Sequence, residues 1–358
     1  MQEIRVATFN AEWMVAIFGG KWKDWDGTIP DNFKGKSLGG IQLPRIDDVP
    51  GLCRRISGVI EEVNPDIISI VEGPPRKDQM ELFVRRYLGG RYVVYESNER
   101  WQSIFMMVRK SLANNVTQLP HDSNDLALLN GKFYYYPWVG FRQEDRKKHK
   151  FDRIPLVLKL NISGNRELQF VAVHTKSKFS KLKTVEQWEA RDEEAVLDAL
   201  DARQKLSAEV GQLRLYLDQQ LTPENDSKGL VVMGDLNDGP FAELMEKEFL
   251  LHNILDELVG SFLRPECLMH HAMTPEVLST AKTVRFPDPL EGGAITEELI
   301  DHILISPSIA GEKGAFKLKA NSCQVETASY NKYNADVNDN DRGLRPSDHK
   351  PVSAILEW

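Results

Sequence analysis

Short apolar runs recur along the whole chain, separated by polar turns and by two stretches with helical spacing. Many of these runs are continuously apolar rather than alternating, so we expect both faces of the strands to be covered. The pattern therefore predicts a β-rich α/β fold with helices laid over the sheets. The strand candidates are Ile4–Phe9, Asp66–Val71, Tyr92–Tyr95, Ile104–Val108, Phe133–Phe141, Pro155–Leu160, Leu168–Val173, Leu230–Met233, His302–Ile305 and Val352–Leu356.

Two segments have the three- and four-residue spacing of an amphipathic helix. The first stops at Asn64-Pro65, where a helix is disfavoured, and its apolar positions are Val49, Leu52, Ile56, Val59 and Val63. The second lies in a charged stretch that starts near Val185, and its apolar positions are Leu206, Val210, Leu213, Leu217 and Leu221. We expect both helices to cover a sheet, and for the second a partner-binding helix is the less favoured alternative.

Two stretches without periodicity, Gly19–Gly40 and Asn331–Arg345, predict long loops. Loops of this length in a compact domain tend to be functional or mobile. No Pro/Gly/Ser-rich linker divides the chain. We therefore predict one domain over residues 1–358, with loop insertions near 19–40 and 331–345 and a helical insertion near 185–221.

Polar side chains stand next to six of the predicted strands. Those just past the carboxyl ends of four strands are Asn10, Glu72, His174, Asp235 and Asn237. Those just before two later strands are Asp301, Asp348 and His349. If the two later strands run antiparallel to the first four, all of these groups gather at one end of the sheets, as one active site requires.

The residue types in this set suit metal-assisted hydrolysis. Carboxylates at short range raise one another's pKa or demand a cation, and Glu12 is a further candidate to join them. Oxygen ligands without cysteine favour Mg²⁺, with Mn²⁺ or Ca²⁺ as alternatives. A cation would also let an acidic pocket accept a phosphate. A neutral histidine is suited to take a proton from water near pH 7.

Six motifs occur in an order that resembles the endonuclease/exonuclease/phosphatase (DNase I-like) superfamily. They are TFN at Asn10, VEG at Glu72, VAVHTKSK at His174, VVMGDLND at Asp235, IDHILIS at Asp301 and SDHKPV at His349. The resemblance implies a four-layered α/β-sandwich, with two mixed β-sheets packed face to face and helices on the outside. HTKSK and IDHIL resemble the bacterial non-specific nucleases in particular.

The same resemblance implies roles for the candidate residues. Glu72 would be a metal ligand, with Asn10 and Asp348 near the metal. His349 would be the general base, oriented by Asp301.

Asp235 and Asn237 would position the nucleophile and the phosphate, pointing the same way if the backbone stays extended. His174 would support the transition state. Arg153 resembles a phosphate-contacting arginine, and a strand-edge surface arginine is the alternative. His302 stands where the family often has tyrosine or arginine, and we interpret it as a packing or supporting contact.

These features favour a divalent-metal-dependent phosphodiesterase, and within that class a nuclease that acts on DNA rather than RNA. Trp22, Trp25 and Trp101 could stack on bases. The net charge of −8 supports the alternative, a phosphatase or a lipid phosphodiesterase of the phosphoinositide or sphingomyelin type. Positive charge can still be local, in the basic islands Arg142–Arg153 and Lys176–Lys183, with solvated loop charges as the alternative interpretation. A binding protein that has lost catalysis is disfavoured by the full set of acid, base and metal residues.

Other features set expectations on location. The amino terminus does not resemble a secretory signal, and no apolar stretch approaches the ~18 residues of a membrane span, so we expect a cytoplasmic protein without membrane insertion. The three cysteines are scattered, which argues against a disulfide framework or a structural zinc site. The sequence shows no convincing exposed aromatic hairpin of the kind a membrane-acting enzyme would use, and His270-His271 is expected in a loop.

Overall fold

The computed structural model describes residues 2–38, 40–137, 140–162, 166–222, 224, 227–241, 243–336 and 341–358. The strands are β1 Glu3–Asn10, β2 Lys36–Leu38, β3 Ile41–Leu43, β4 Ile67–Gly73, β5 Tyr92–Glu96, β6 Ser103–Arg109, β7 Val116–Gln118, β8 Phe133–Tyr135, β9 Lys147–His149, β10 Leu156–Ile162, β11 Arg166–His174, β12 Gly229–Asp235, β13 His270–His271, β14 Val284–Asp288, β15 Ala294–Glu298, β16 Asp301–Ile305, β17 Lys317–Leu318, β18 Gln324–Val325 and β19 Val352–Glu357.

The α-helices lie between and after these strands. They are α1 Val49–Val63, α2 Lys77–Tyr87, α3 Lys110–Ala113, α4 Ala127–Asn130, α5 Val185–Glu189, α6 Glu193–Gln220, α7 Leu244–Phe249, α8 Ile254–Val259, α9 Pro275–Leu278, α10 Pro307–Ala310 and α11 Thr327–Tyr333. Short 3-10 turns cover Met14–Phe18, Asn124–Leu126, Gln143–Asp145 and Pro289–Glu291. No helix in the described ranges is long and apolar enough to cross a membrane.

Most of the strands form two mixed sheets. The first has the order β17-β19-β1-β4-β6-β5, with β18 also paired to β19, and the second has the order β13-β16-β12-β11-β10-β7. β1 is parallel to β4, and β11 is parallel to β12. β19 is antiparallel to β1, and β16 is antiparallel to β12. This confirms the prediction that the two later strands reverse direction, which turns their first residues toward the carboxyl ends of the other four.

The sheets pack face to face over a shared apolar layer. Val6 and Val71 from the first sheet meet Phe170 and Met233 from the second, and all four side chains are fully buried. The outer face of the first sheet packs against α1 and α2, and that of the second packs against α6 and α8. Both faces of the central strands are therefore buried from solvent, which explains their continuously apolar sequence. The predicted four-layered sandwich is confirmed.

Helix α1 shows how local sequence sets these elements. The Asp48 side chain accepts a hydrogen bond from the Gly51 backbone N–H at 2.8 Å and caps the first turn. The helix ends at Asn64, whose left-handed backbone (φ 53°) precedes Pro65. Its apolar stripe is buried against the first sheet, so the predicted helix is confirmed. The second predicted helix corresponds to α6.

Some expectations of local structure were wrong. The strand predicted over Phe133–Phe141 is only the three-residue β8, which pairs with β9 in a hairpin, and positions 138–139 lie outside the described residues. Pro137 cannot donate to a strand ladder, which explains the early end. His270-His271 is not a loop but strand β13 at the edge of the second sheet; a strand of two residues gives no periodic signal.

The two predicted loops also contain regular structure. Gly19–Gly40 runs into the hairpin of β2 and β3, and Asn331–Arg345 begins inside α11. Positions 39 and 337–340 of these two segments lie outside the described residues.

Gly234 in the central strand β12 provides a test of this architecture. Its φ of 150° is rare for L-residues, and a Cβ there would lie 1.8 Å from the Val173 carbonyl oxygen of the adjacent strand. We expect Gly234→Ala to lower the free energy of unfolding by at least about 2 kcal/mol, measured by urea denaturation. Gly211→Ala in α6 is the matched control: its Cβ would meet no atom within 4 Å, so it should be neutral or slightly stabilising. Equal urea midpoints for Gly234→Ala and Gly211→Ala would contradict the close approach of β12 to β11 at Gly234.

Candidate active site

Strand register brings the candidate residues into two rows at one end of the sandwich. In the second sheet, His174 pairs with Asp235, and Asp235 pairs with Asp301. In the first sheet, Asn10 ends β1 beside Val71 of β4, so Glu72 follows at the same edge. The six polar strand ends that the sequence singled out therefore do converge.

A short hydrogen bond of the site joins the two sheets. His349 Nδ1 lies 2.7 Å from Asp301 Oδ2, and both residues are buried. Ser347 holds the His349 backbone next to the end of β1. Its Oγ donates to the Asn10 carbonyl oxygen at 2.6 Å and accepts from the His349 N–H at 3.1 Å. Burial acts to lower the pKa of His349, but the facing carboxylates of Asp301 and Asp348 outweigh it and hold the pKa well above its usual value. The Nε2 edge is left to exchange a proton.

Asp235 lies beside this pair and is held on both carboxylate oxygens. Asn10 Nδ2 donates to Oδ2 at 3.0 Å, and the Asn237 backbone N–H donates to Oδ1 at 2.8 Å. Asn10 Nδ2 also lies 3.5 Å from His349 Nε2. Burial, and then the charge of Asp301, raises the pKa of Asp235 to about 6.

The expectation of an extended backbone at Asn237 was wrong. Asn237 has a left-handed conformation with φ 54°, and Asp235 caps the turn. Its side-chain amide donates to the Thr175 carbonyl oxygen at 3.1 Å rather than lying parallel to Asp235. Asp-Leu-Asn thus builds a turn that fixes the Asp235 carboxylate and joins the ends of β11 and β12.

Glu72 and His174 face the Asp235 carboxylate from the neighbouring strand ends. Glu72 Oε2 accepts from the Trp13 N–H at 2.8 Å, and Oε1 lies 4.0 Å from His174 Nε2. His174 Nε2 is also 3.7 Å from Asp235 Oδ2. Burial, and then the charge of Asp348, raises the pKa of Glu72 to about 7. Burial lowers the pKa of His174 well below its usual value, so the ring is neutral.

This donor set fits a hard divalent cation. The half-buried Glu72 and the buried Asp235 have raised pKa values, first because their carboxylates are removed from water and then because another carboxylate lies nearby. Glu72, with Asn10 and Asp348, offers oxygen ligands of the kind Mg²⁺ prefers. A second grouping also exists: ligand atoms of Asp235, Asp301 and His349 lie within 4.8 Å of one another. Because Asp301 already holds His349 Nδ1, we favour the first set.

Glu12 does not join these carboxylates, as the sequence had suggested. Its Oε1 accepts from Arg345 Nη2 at 2.9 Å, and its Oε2 lies 3.2 Å from Arg342 Nε. Two guanidinium groups therefore occupy its oxygens. Its role is to anchor the segment that leads into His349.

Arg342 is the residue that sequence reasoning missed. It is 4% exposed and donates to the backbone carbonyls of Ala11, Glu12, Arg345 and Pro346. It thereby ties the end of β1 to the chain just before the SDH motif. The only signal was the pair of arginines in RGLRPSDH, inside a stretch taken for a loop.

The Arg153 guanidinium lies at the edge of the site, and each of its three nitrogens donates one hydrogen bond. Nε donates to the His174 carbonyl at 3.2 Å, Nη2 to the Thr175 carbonyl at 2.6 Å, and Nη1 to Gln102 Oε1 at 2.8 Å. These bonds hold the backbone that carries His174. The phosphate contact stays a prediction.

His302 and the tryptophans lie around the site. His302 Nε2 is 2.8 Å from the Asp238 carbonyl oxygen, and its Nδ1 is 3.1 Å from His271 Nε2, so it supports the loop after β12. Trp22 and Trp101 pack edge to face at 5.0 Å, and Trp25 packs on Phe18.

Comparison with known proteins decides the fold family. No family model matches the sequence, and no curated protein does. The chain is similar to TDP2 from Caenorhabditis elegans, with 14% identity and a TM-score of 0.50, over 100% of this chain and 75% of that one. It is also similar to a mannosyl-6-phosphatase from Bacteroides thetaiotaomicron, with 12% identity and a TM-score of 0.50, over 99% and 100%.

The chain shares its fold with these two proteins. A protein from Bacteroides vulgatus described as an endonuclease/exonuclease/phosphatase is similar at 13% identity and a TM-score of 0.48, over 100% of both chains. At such identities the likeness concerns the fold alone. The α/β-sandwich that the resemblance of the six motifs implied is confirmed, while the residue roles stay proposals.

The Asp301–His349 pair gives the site's most direct test. We expect His349→Ala to lower kcat on bis(4-nitrophenyl) phosphate by about 10²–10⁴-fold, because no other group would take the proton. Asp301→Asn should also lower kcat, because an amide does not hold the imidazole in the same tautomer. Circular dichroism and thermal unfolding check that both variants stay folded. Normal turnover by folded His349→Ala would rule out this base.

Proposed function

We propose that the chain is a divalent-metal-dependent phosphodiesterase that hydrolyses nucleic-acid phosphodiester bonds, with DNA favoured over RNA. The observation that supports this most is the Asp301–His349 hydrogen bond of 2.7 Å beside the buried carboxylate of Asp235 and the half-buried carboxylate of Glu72. A proton acceptor and a cation site then lie at the same end of the sandwich. That combination suits attack of water on a phosphate.

Each residue has a distinct task in this mechanism. Mg²⁺, when bound by Glu72 with Asn10 and Asp348, would neutralise the pocket and polarise a phosphoryl oxygen. His349 acts as the base in its deprotonated form, whose population the raised pKa shifts to higher pH: Nε2 then takes the proton of the attacking water while Asp301 holds Nδ1. Asp235, fixed by two hydrogen bonds, orients that water.

The neutral His174 completes the set. Its ring is buried, and in the described structure its Nδ1 has no hydrogen-bond partner, while Nε2 faces the pocket. As a donor it stabilises charge that develops on the phosphoryl oxygens. Arg153 supports it by gripping its backbone.

A phosphatase is the second candidate. The acidic net charge of −8 and the fold likeness to a mannosyl-6-phosphatase favour it. Against it, the Arg153 guanidinium is committed to two carbonyls and Gln102. A phosphomonoester carries one more negative charge than a phosphodiester, and an additional cationic side chain would be needed to bind it.

Metal removal tests the cation site. We expect EDTA to abolish hydrolysis and Mg²⁺ to restore it. We expect Glu72→Gln to raise the Mg²⁺ concentration at half-maximal rate by at least about tenfold, with a smaller change in the KM for substrate. The matched control is Glu12→Gln, whose carboxylate is bound by arginines. An unchanged Mg²⁺ titration for Glu72→Gln would contradict its assignment as a ligand.

A substrate panel separates the candidates. Its members are supercoiled plasmid, linear duplex, single-stranded DNA, RNA, a phosphoinositide, sphingomyelin and a hexose 6-phosphate, each with Mg²⁺ or Mn²⁺. We expect hydrolysis of DNA with the highest kcat/KM. Exclusive release of phosphate from the monoesters would overturn the nuclease proposal and support the phosphatase.

A further inference from the structure

The β8–β9 hairpin has two faces with different chemistry. Residues directly opposite in an antiparallel pair share a face, and here Phe133 pairs with His149 and Tyr134 with Lys148. The first pair points inward and the second outward. The next pair, Tyr135 and Lys147, again points inward.

The inner face is fixed to helix α6. His149 Nε2 lies 3.0 Å from Glu209 Oε1, and Lys147 Nζ donates to Asp201 Oδ1 at 2.8 Å. The Phe133 and His149 rings pack edge to face with centroids 5.3 Å apart. The hairpin is thus anchored to the sandwich, and its outer face is held in place.

The outer face has aromatic rings on one arm and cations on the facing arm. We call it the hairpin surface, and its members are Tyr134, Tyr136, Phe141, Arg146 and Lys148. The three rings are 50%, 42% and 82% exposed, and the Arg146 guanidinium lies 4.0 Å from the centroid of Tyr134. This exposed aromatic hairpin was not expected from the sequence.

The cations of this surface have no acidic partners among the described residues. The nearby ion pairs use other side chains: Arg142 pairs with Glu144 and Asp145, and Lys147 pairs with Asp201. Residues 132–153 contain seven Lys and Arg against three Asp and Glu, in a chain of net charge −8. The hairpin surface is therefore a local positive patch on an acidic protein, which suits a polyanion.

The other basic island behaves differently. Lys178 is ion-paired with Asp238, Glu243 and Glu298, and Lys181 is paired with Glu194. Two of its four lysines are thus neutralised by carboxylates, while Lys176 Nζ donates to the Ser177 carbonyl oxygen and Lys183 Nζ lies 4.5 Å from the centroid of the Phe179 ring. At the hairpin, by contrast, both outward cations lack a carboxylate partner in the described part of the chain.

The hairpin is continuous with the candidate active site. Glu209, which holds His149, also accepts from the Lys176 N–H at 2.7 Å, two residues after His174. Downstream, the chain runs from Lys148 to Arg153, whose Nε donates to the His174 carbonyl oxygen. Five residues span at most about 18 Å, a distance that roughly five nucleotides cover at 3.4 Å each.

We infer that the hairpin surface binds the nucleic-acid strand that extends from the scissile phosphate. The inference rests on the proposed function. Cations meet successive phosphates, and Tyr134, with its neighbouring rings, stacks on bases, which is how single strands are held without sequence preference. An anionic membrane would also attract cations and rings, but a row of rings on one arm beside a row of cations on the facing arm matches a strand that presents a row of bases beside a row of phosphates.

Binding of a fluorescent single-stranded oligonucleotide tests this, measured by anisotropy in Mg²⁺ on a His349→Ala background so that hydrolysis does not interfere. We expect Arg146→Glu/Lys148→Glu to weaken binding by about tenfold and to reduce the slope of log Kd against log salt by about 1.4. Tyr134→Ala should weaken binding by about fivefold or more, and Tyr134→Phe should not.

Lys110→Glu/Lys313→Glu is the matched control. It makes the same change in net charge at exposed lysines beyond the opposite end of the sheets, after β6 and before β17. We expect it to change the affinity less than twofold. If both double variants lost the same oligonucleotide affinity, the change in net charge alone would explain the loss, and the inference would be overturned.

Two further measurements separate a failure of the hairpin proposal from a failure of the proposed function. In the otherwise unchanged chain, Arg146→Glu/Lys148→Glu should leave kcat/KM for bis(4-nitrophenyl) phosphate unaltered. Failure of the parent chain to cleave any phosphodiester would refute the proposed function, whereas unaltered oligonucleotide binding by the hairpin variants refutes only the hairpin surface. If those variants instead lose binding to phosphatidylserine vesicles and keep oligonucleotide binding, the surface is a membrane contact and the inference is wrong.

Discussion

One hydrogen bond between the two sheets determines the geometry of the site: His349, just before β19 of the first sheet, bonds to Asp301 at the start of β16 in the second. The Asn10–Asp235 bond crosses the same boundary. Neither sheet alone holds a complete set of groups. The packing of the apolar layer between the sheets therefore sets the distances on which proton transfer depends.

Burial at this boundary has an electrostatic consequence. Carboxylates removed from water resist ionisation, and the pKa of Glu72 rises to about 7 and that of Asp235 to about 6. Glu12 is paired with Arg342 and Arg345, whereas no arginine or lysine of the described ranges is ion-paired with Glu72. A bound cation would relieve that imbalance, and it explains why an acidic pocket would accept a phosphate.

The sequence predicted the fold and the convergence of strand ends because both follow from local patterns: apolar runs, and polar residues at their ends. It could not predict contacts that depend on distant chain segments. Arg342 bonds to backbone carbonyls more than 300 positions away, and no side-chain pattern marks a carbonyl acceptor. The turn at Asn237 was missed because an extended and a turned Asp-Leu-Asn look alike in sequence. The strand predicted over Phe133–Phe141 was too long and β9 was not predicted, because arms of three residues each give no clear periodic signal.

The most direct test is the position of a bound cation in crystals soaked with Mn²⁺, located by anomalous scattering. The account predicts one strong peak at the Glu72 carboxylate, near Asn10 and Asp348, with the Asp301–His349 bond intact. A peak bound instead by His349 and Asp301 would remove the proposed base. Three other acidic side chains, Asp238, Glu243 and Glu246, also lie close enough together to hold a cation. A peak only there would contradict the assignment of the Glu72 end of the sandwich as a metal-dependent catalytic centre.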